Sequence, residues 1–319
     1  MSVFDFDHAE AAAELADNGW IHRSAGISAP LMEALRAETE AFLAGDGGDL
    51  SSWRFPGKKA QFLWELPDGL MLARLKAEVA AVTGMDPERV TLSERHVKVY
   101  SPDADDFPPP HKDRGASTFT LGFAIRVPDD SRLVLWPNVD TSFNFYPTSA
   151  EWRDSRPTAE LPENVVEGIE PVTVDMRPGD FVAFRGAEIY HERFRPASTA
   201  VLYLKFNEIG LDPLGEDPDT SAALAHTSDV RERGQIDSAT LSLSPLVVGL
   251  RTEEFFPGGQ LHVQARFVDG SCAARLDEGS VAFMRRLMRA GSVPVAVLEG
   301  DDREAALELL DRGVVVLEL

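Results

Sequence analysis

His111-Lys112-Asp113 places an imidazole and a carboxylate two positions apart, and a candidate partner, His191, stands far along the chain in the segment that begins Pro178-Gly179-Asp180. On an extended backbone, residues two apart project to the same side. One strand end can therefore offer both His111 and Asp113 to a single ion. Two neutral imidazoles and one carboxylate, gathered on one face of an octahedron with three positions open, are the donor set of non-haem Fe(II) sites. Taken alone, a His-x-Asp pair is a common surface pattern. Its company is more specific. Pro178-Gly179-Asp180 is a turn signal that leads into the apolar run Phe181-Val182-Ala183-Phe184. His191 lies just beyond that run, and the next apolar run, Val201-Leu202-Tyr203-Leu204-Lys205-Phe206, carries a basic residue.

Short strands must position these side chains. His96-Val97-Lys98-Val99-Tyr100 and Phe119 to Ile125 alternate with period two. Arg132 to Trp136, Pro171 to Val174, Phe181 to Phe184 and Ala200 to Phe206 follow, separated by Pro, Gly and Asp turns. That texture predicts an all-β sandwich or barrel. Ahead of it, apolar spacing and stop signals predict helices over His8 to Asn18, Pro30 to Leu43 (with Ser28 as cap) and Leu70 to Thr83. The stretch from Asn138 to Glu170 is long and polar, as functional connections are. Leu211 to Gly234 reads as a linker. After it come strand-like runs at Leu246 to Leu250 and Leu261 to Val268, a helix from Ser280 to Ala290, a second from Asp301 (as cap) to Arg312, and a closing strand at Val314 to Leu317. The expected division is thus 1–234 and 235–319, the second part a small α+β module with a winged-helix-like order.

From about Val90 to Gly210 the chain resembles the Fe(II)/2-oxoglutarate-dependent oxygenases, nearest in texture to the phytanoyl-CoA dioxygenase-like members. The resemblance implies a mainly β fold with flanking helices, a double-stranded β-helix (a cupin-like jelly roll) with the metal at its open end. It implies Fe(II) held by His111, Asp113 and His191, with 2-oxoglutarate and O2 filling the open positions. In that family 2-oxoglutarate is decarboxylated to succinate and CO2 while a C–H bond is oxidised. Related halogenases replace the carboxylate ligand by a small residue, so Asp113 favours hydroxylation, desaturation or ring closure. The distal carboxylate of 2-oxoglutarate needs a cation. The position about ten residues past the distal histidine, where many members have Arg, holds Ala200 and Val201 here. Lys205 becomes the expected anchor, since a lysine in an apolar strand should have a partner, and Arg195 is its competitor in a turn-like segment. Lys98 and Thr118 are expected to bind the cofactor; Tyr100, on the face of Lys98, fits the pocket or the core, and Thr120, two residues past Thr118, fits the pocket or ordinary strand packing.

Composition narrows the function class. The formal net charge of -22 opposes nonspecific nucleic-acid binding, which needs Lys and Arg against phosphate, and opposes docking on an anionic membrane. The one cysteine, Cys272, excludes an intrachain disulfide framework. The N-terminus lacks the charged and apolar regions of a signal peptide, and no apolar run approaches the roughly 20 residues needed to span a bilayer. The expectation is a cytoplasmic enzyme with a small-molecule substrate, compatible with a homodimer. Two alternatives stand beside it: a protein hydroxylase that uses the C-terminal module for recognition or dimerisation, and a non-oxygenase metal-binding cupin-like protein.

Overall fold

The computed structural model describes residues 2–45, 53–55, 59–66, 69–104, 109–255, 260–267, 272–276 and 278–318. Local signals set the N-terminal helices. Asp7 caps α1 (His8–Asn18) by accepting from the amides of Ala9 and Glu10, and Gly19, at φ 76°, ends it with its amide on the Leu15 carbonyl. Helices α2 (Ala29–Ala44) and α3 (Gly69–Thr83) lie where the apolar spacing puts them. Ser28 stands at the start of α2 but makes no side-chain capping bond, and a proline in the first turn starts the helix instead.

The strands are β1 (Trp20–Arg23), β2 (Trp53–Phe55), β3 (Lys59–Leu63), β4 (Thr91–Tyr100), β5 (Phe119–Arg126), β6 (Arg132–Trp136), β7 (Val172–Val174), β8 (Phe181–Phe184), β9 (Tyr190–Phe194) and β10 (Ala200–Asn207). Short helices α4 (Ser149–Asp154) and α5 (Pro162–Val165) fall within the long insertion. A seven-stranded sheet has the order β1-β8-β5-β10-β4-β3-β2, and a second sheet the order β7-β6-β9. The pairings are antiparallel, and a bridge between His111 and His191 extends the second sheet. From β4 onward the chain passes large sheet, bridge, large sheet, twice through the small sheet, then large, small, large. That is the winding of a jelly roll.

Several of these strands read as continuous apolar runs because both faces are covered. On β10, Leu202, Leu204 and Phe206 face a core shared with the N-terminal helices, while Val201 and Tyr203 face the interior between the sheets. On β8, Phe181 and Ala183 join the first core, Val182 and Phe184 the second. Full burial of each such large side chain contributes about 1.5–3 kcal/mol. Thus Lys205, in step with Val201 and Tyr203, is committed to the interior by the pleat. The Pro178-Gly179-Asp180 turn enters β8 as expected, and its Asp180 accepts from the amides of Ala25 and Arg177.

The chain divides into two compact units at 209/210 rather than at 234/235. The expected linker contains a helix, α6 (Pro218–Glu232). Its Thr227 accepts from the Leu317 amide, so α6 belongs to the C-terminal unit. That unit is α+β. It has β11 (Thr240–Leu243), β12 (Gly249–Phe255), β13 (Gln260–Arg266), β14 (Cys272–Leu276), α7 (Glu278–Ala290), β15 (Ser292–Pro294), α8 (Gly300–Asp311) and β16 (Val315–Glu318), with sheets ordered β15-β11-β16 and β12-β13-β14. Glu299 rather than Asp301 stands at the cap position of α8, without a side-chain bond. Among the described residues no helix is long and apolar enough to cross a membrane.

Candidate metal centre

His111 and His191 meet as a reciprocal backbone pair, each amide donating to the other's carbonyl at 3.1 and 2.9 Å. Their rings lie 4.4 Å apart, centroid to centroid. His191 lies beyond β8, as expected, and within a further strand, β9, that was not expected. Each Nδ1 sits 2.9 Å from a backbone carbonyl, that of Pro109 for His111 and that of Ile189 for His191. A carbonyl can only accept, so Nδ1 carries the proton and Nε2 keeps its lone pair for a metal. Asp113 is fixed by its amide on the Gly186 carbonyl at 2.8 Å and by Thr120 Oγ1, which donates to Oδ2 at 2.5 Å. One ligand atom from each of His111, Asp113 and His191 lies within 4.8 Å of the others.

Lys112, between the two ligands, points the opposite way. It is fully buried, donates to the carbonyls of Asp140 and Ser142, and lies 4.7 Å from the Tyr190 ring centre and 5.2 Å from that of Trp152. Asn144 Nδ2 donates to the Asp113 carbonyl at 2.8 Å. The long insertion is thereby tied to the back of the ligand strand.

Electrostatics favour the ligating forms. Burial and the neighbouring His191 push His111 down to about 3, and burial lowers His191. Burial alone would raise the Asp113 carboxyl, but Lys205 and the two histidines outweigh it and hold it well below the usual carboxylate range. At neutral pH both imidazoles are neutral and the carboxylate is charged, the states a divalent cation needs.

A pocket opens from these three residues, lined also by Thr120, Lys205, Lys98, Tyr100, Tyr203 and Arg193. Arg193 is the residue that sequence reasoning missed. It is 4% exposed. Its Nη2 donates to Tyr203 Oη at 3.1 Å and touches Met176 Sδ at 3.5 Å, while Nε and Nη1 have no hydrogen-bond partner among the described residues. No ion pair of Arg193 occurs among the described residues. Gly122 stands opposite Tyr203 in the register, and a Cβ there would come within 3.4 Å of that ring.

The other expected residues sort differently. Lys98 lines the pocket and pairs with Glu94 at 3.1 Å. Lys205 also lines it, but its ammonium already lies 2.8 Å from Asp113 Oδ1 and 3.3 Å from Glu94 Oε2. Thr118 is outside the pocket, its hydroxyl on the Gly115 carbonyl at 3.4 Å, and Thr120, one pleat further, takes the inward position. Arg195 sits in the turn after β9 at φ 48°, its side chain 59% exposed beside Asp130, so it does not reach the pocket.

No family model matches the chain, and no curated protein matches it. Solved structures similar to it include the epimerase SnoN in complex with Fe3+, alpha ketoglutarate and nogalamycin RO. The match is 18% identical over 63% of this chain and 83% of that one, with a TM-score of 0.46. The alpha ketoglutarate-dependent carbocyclase SnoK from nogalamycin biosynthesis matches at 15% identity over 62% and 82%, TM-score 0.46. A Pseudomonas putida prolyl-4-hydroxylase matches at 18% identity over 63% and 97%, TM-score 0.43.

Proposed function

We propose that the chain is an Fe(II)/2-oxoglutarate-dependent dioxygenase that hydroxylates a C–H bond of a small molecule. The observation that carries this reading is one pocket with two complementary features. One is a His111–Asp113–His191 donor set with both imidazole Nε2 atoms available; the other is the buried guanidinium of Arg193 without an anionic partner. The donor set fits Fe(II), because two histidines and one carboxylate leave open positions for further ligands. An unpaired buried guanidinium fits a carboxylate, which accepts its planar fork through two parallel bonds. Iron, when bound, supplies activation of O2 coupled to oxidative decarboxylation of 2-oxoglutarate.

The chain's own residues do the rest. Carbonyls of Pro109 and Ile189 fix the imidazole tautomers, and Thr120 orients Asp113. Arg193, with Tyr203 held against it, receives the distal carboxylate of 2-oxoglutarate in place of Lys205 or Arg195. Leu133 supplies an apolar wall that helps exclude water. The Arg193 feature favours this reading over a non-oxygenase metal-binding protein, for which an orphan buried cation beside the metal ligands has no use.

The test is an anaerobic titration of the full chain with Fe(II) and 2-oxoglutarate, followed by the weak visible charge-transfer band. The band should appear in wild type and be absent from His191→Ala that keeps its circular dichroism. A folded wild-type protein with no band, and no 2-oxoglutarate-dependent succinate in air, would refute the proposal.

A further inference from the structure

Lys205 is a buried, pocket-lining group that the proposed chemistry leaves unused. It is 7% exposed and has two carboxylate partners, Asp113 Oδ1 and Glu94 Oε2. Asp113 turns its other oxygen, Oδ2, toward His191 Nε2 at 3.7 Å. The carboxylate therefore stands between the imidazoles and the ammonium. Glu94 cannot fully neutralise Lys205, because Lys98 Nζ at 3.1 Å and Arg114 Nη2 at 3.6 Å share it. Three cations (Lys98, Arg114 and Lys205) thus meet two carboxylates (Glu94 and Asp113) before any metal enters.

A divalent ion held by Asp113 and the histidines adds charge of the same sign across one carboxylate from Lys205. In a buried site like charges repel far more than in water. A dicarboxylate brings two negative charges that remove the excess. Resting on the reading of this pocket as a metal centre that takes a dicarboxylate, we propose that Lys205 is a positioning residue that acts as an electrostatic lock. It secures Asp113 in the metal-free protein, opposes the metal alone, and so makes metal and dicarboxylate bind cooperatively. Linkage requires the coupling to be reciprocal, so the metal tightens the dicarboxylate by the same factor.

The sign of one measurement separates this from an ordinary structural lysine. If Lys205 only orients Asp113, its removal loosens the metal; if it is a lock, its removal tightens the metal when no dicarboxylate is present. The experiment is calorimetric titration of the metal-free full chain with Co(II), with and without saturating 2-oxoglutarate. Lys205→Met should bind Co(II) alone about 5–150-fold more tightly than wild type, the usual span of a coupling between sites. The gain from 2-oxoglutarate should shrink to match. Glu94→Gln gives an independent arm if Lys205→Met does not fold. It keeps Lys205, removes one of its counter-charges, and should weaken Co(II) alone while enlarging the gain from 2-oxoglutarate. Equal or weaker Co(II) binding by folded Lys205→Met, or unchanged binding by Glu94→Gln, overturns the lock and leaves the metal centre standing. Failure of wild type to bind Co(II) at all overturns the metal centre itself.

Discussion

Replacing Arg193 by methionine should make the protein more stable and less able to bind its cosubstrate. Two guanidinium nitrogens, Nε and Nη1, are buried without a hydrogen-bond partner among the described residues. An unsatisfied buried donor costs about 1–3 kcal/mol. Methionine fills similar length without polar atoms, and it gives up only the Arg193 contacts with Tyr203 Oη and Met176 Sδ. Two such donors cost about 2–6 kcal/mol, and the lost bond to Tyr203 offsets about 1.5–3 kcal/mol of that, so the net effect on the metal-free protein is a gain of about 0.5–3 kcal/mol, or roughly 1–12 °C in Tm for a unit of this size. Removing one side of a buried, hydrogen-bonded charge pair costs about 2–5 kcal/mol, so 2-oxoglutarate should bind some ~30–5,000-fold more weakly. Thermal unfolding of the metal-free protein and titration of the charge-transfer band measure the two effects on one sample. A folded Arg193→Met with a lower Tm and wild-type 2-oxoglutarate affinity would refute the reasoning on both counts, and with it the assignment of Arg193.

Three further outcomes follow from the same geometry. Gly186→Ala would place a Cβ in collision with Thr120 Oγ1 and 2.7 Å from Asp113 Oδ2. With fold retained, it should weaken metal binding about 10–100-fold, as loss of ligand support does; undiminished Co(II) affinity would count against it. His111 is held neutral, its ordinary 6.5 lowered to about 3, so the unfolded chain binds the proton first and stability rises with pH through that window. In urea titrations of the metal-free protein, wild type should lose about 1 kcal/mol more than His111→Gln between pH 7 and pH 5.5, a figure reduced because the ring is partly exposed; parallel losses would contradict this. Finally, His111, Asp113, His191, Arg193 and Lys205 all lie within 1–209, so a fragment ending at Ile209 should keep the Fe(II)/2-oxoglutarate band. A folded fragment without it would contradict this placement.

What the sequence disclosed and what it hid come from the same rule applied unevenly. Period two joined His111 to Asp113 correctly, and runs such as Phe181–Phe184 gave their strands because burial on both faces leaves few polar residues. Just past His191 the sequence announces no strand. Glu192 to Ser198 is polar and reads as a turn, although Tyr190–Phe194 is a strand. Once His191 is placed in a strand, Arg193 is two residues on and must share its side. The structure bears this out, with both buried and both lining the pocket. Lys205 is a different case. A lysine in an apolar strand needs a carboxylate, and here the carboxylates are the chain's own. They come from a register that sets Lys205 opposite Glu94 on β4 and Thr120 on β5, and cross-strand register is a long-range fact that local spacing does not contain. Among the described residues, the one cation lining the pocket that has no ion pair, Arg193, stands on the strand of the distal histidine, so the ligand and the proposed carboxylate anchor are fixed by a single stretch of backbone.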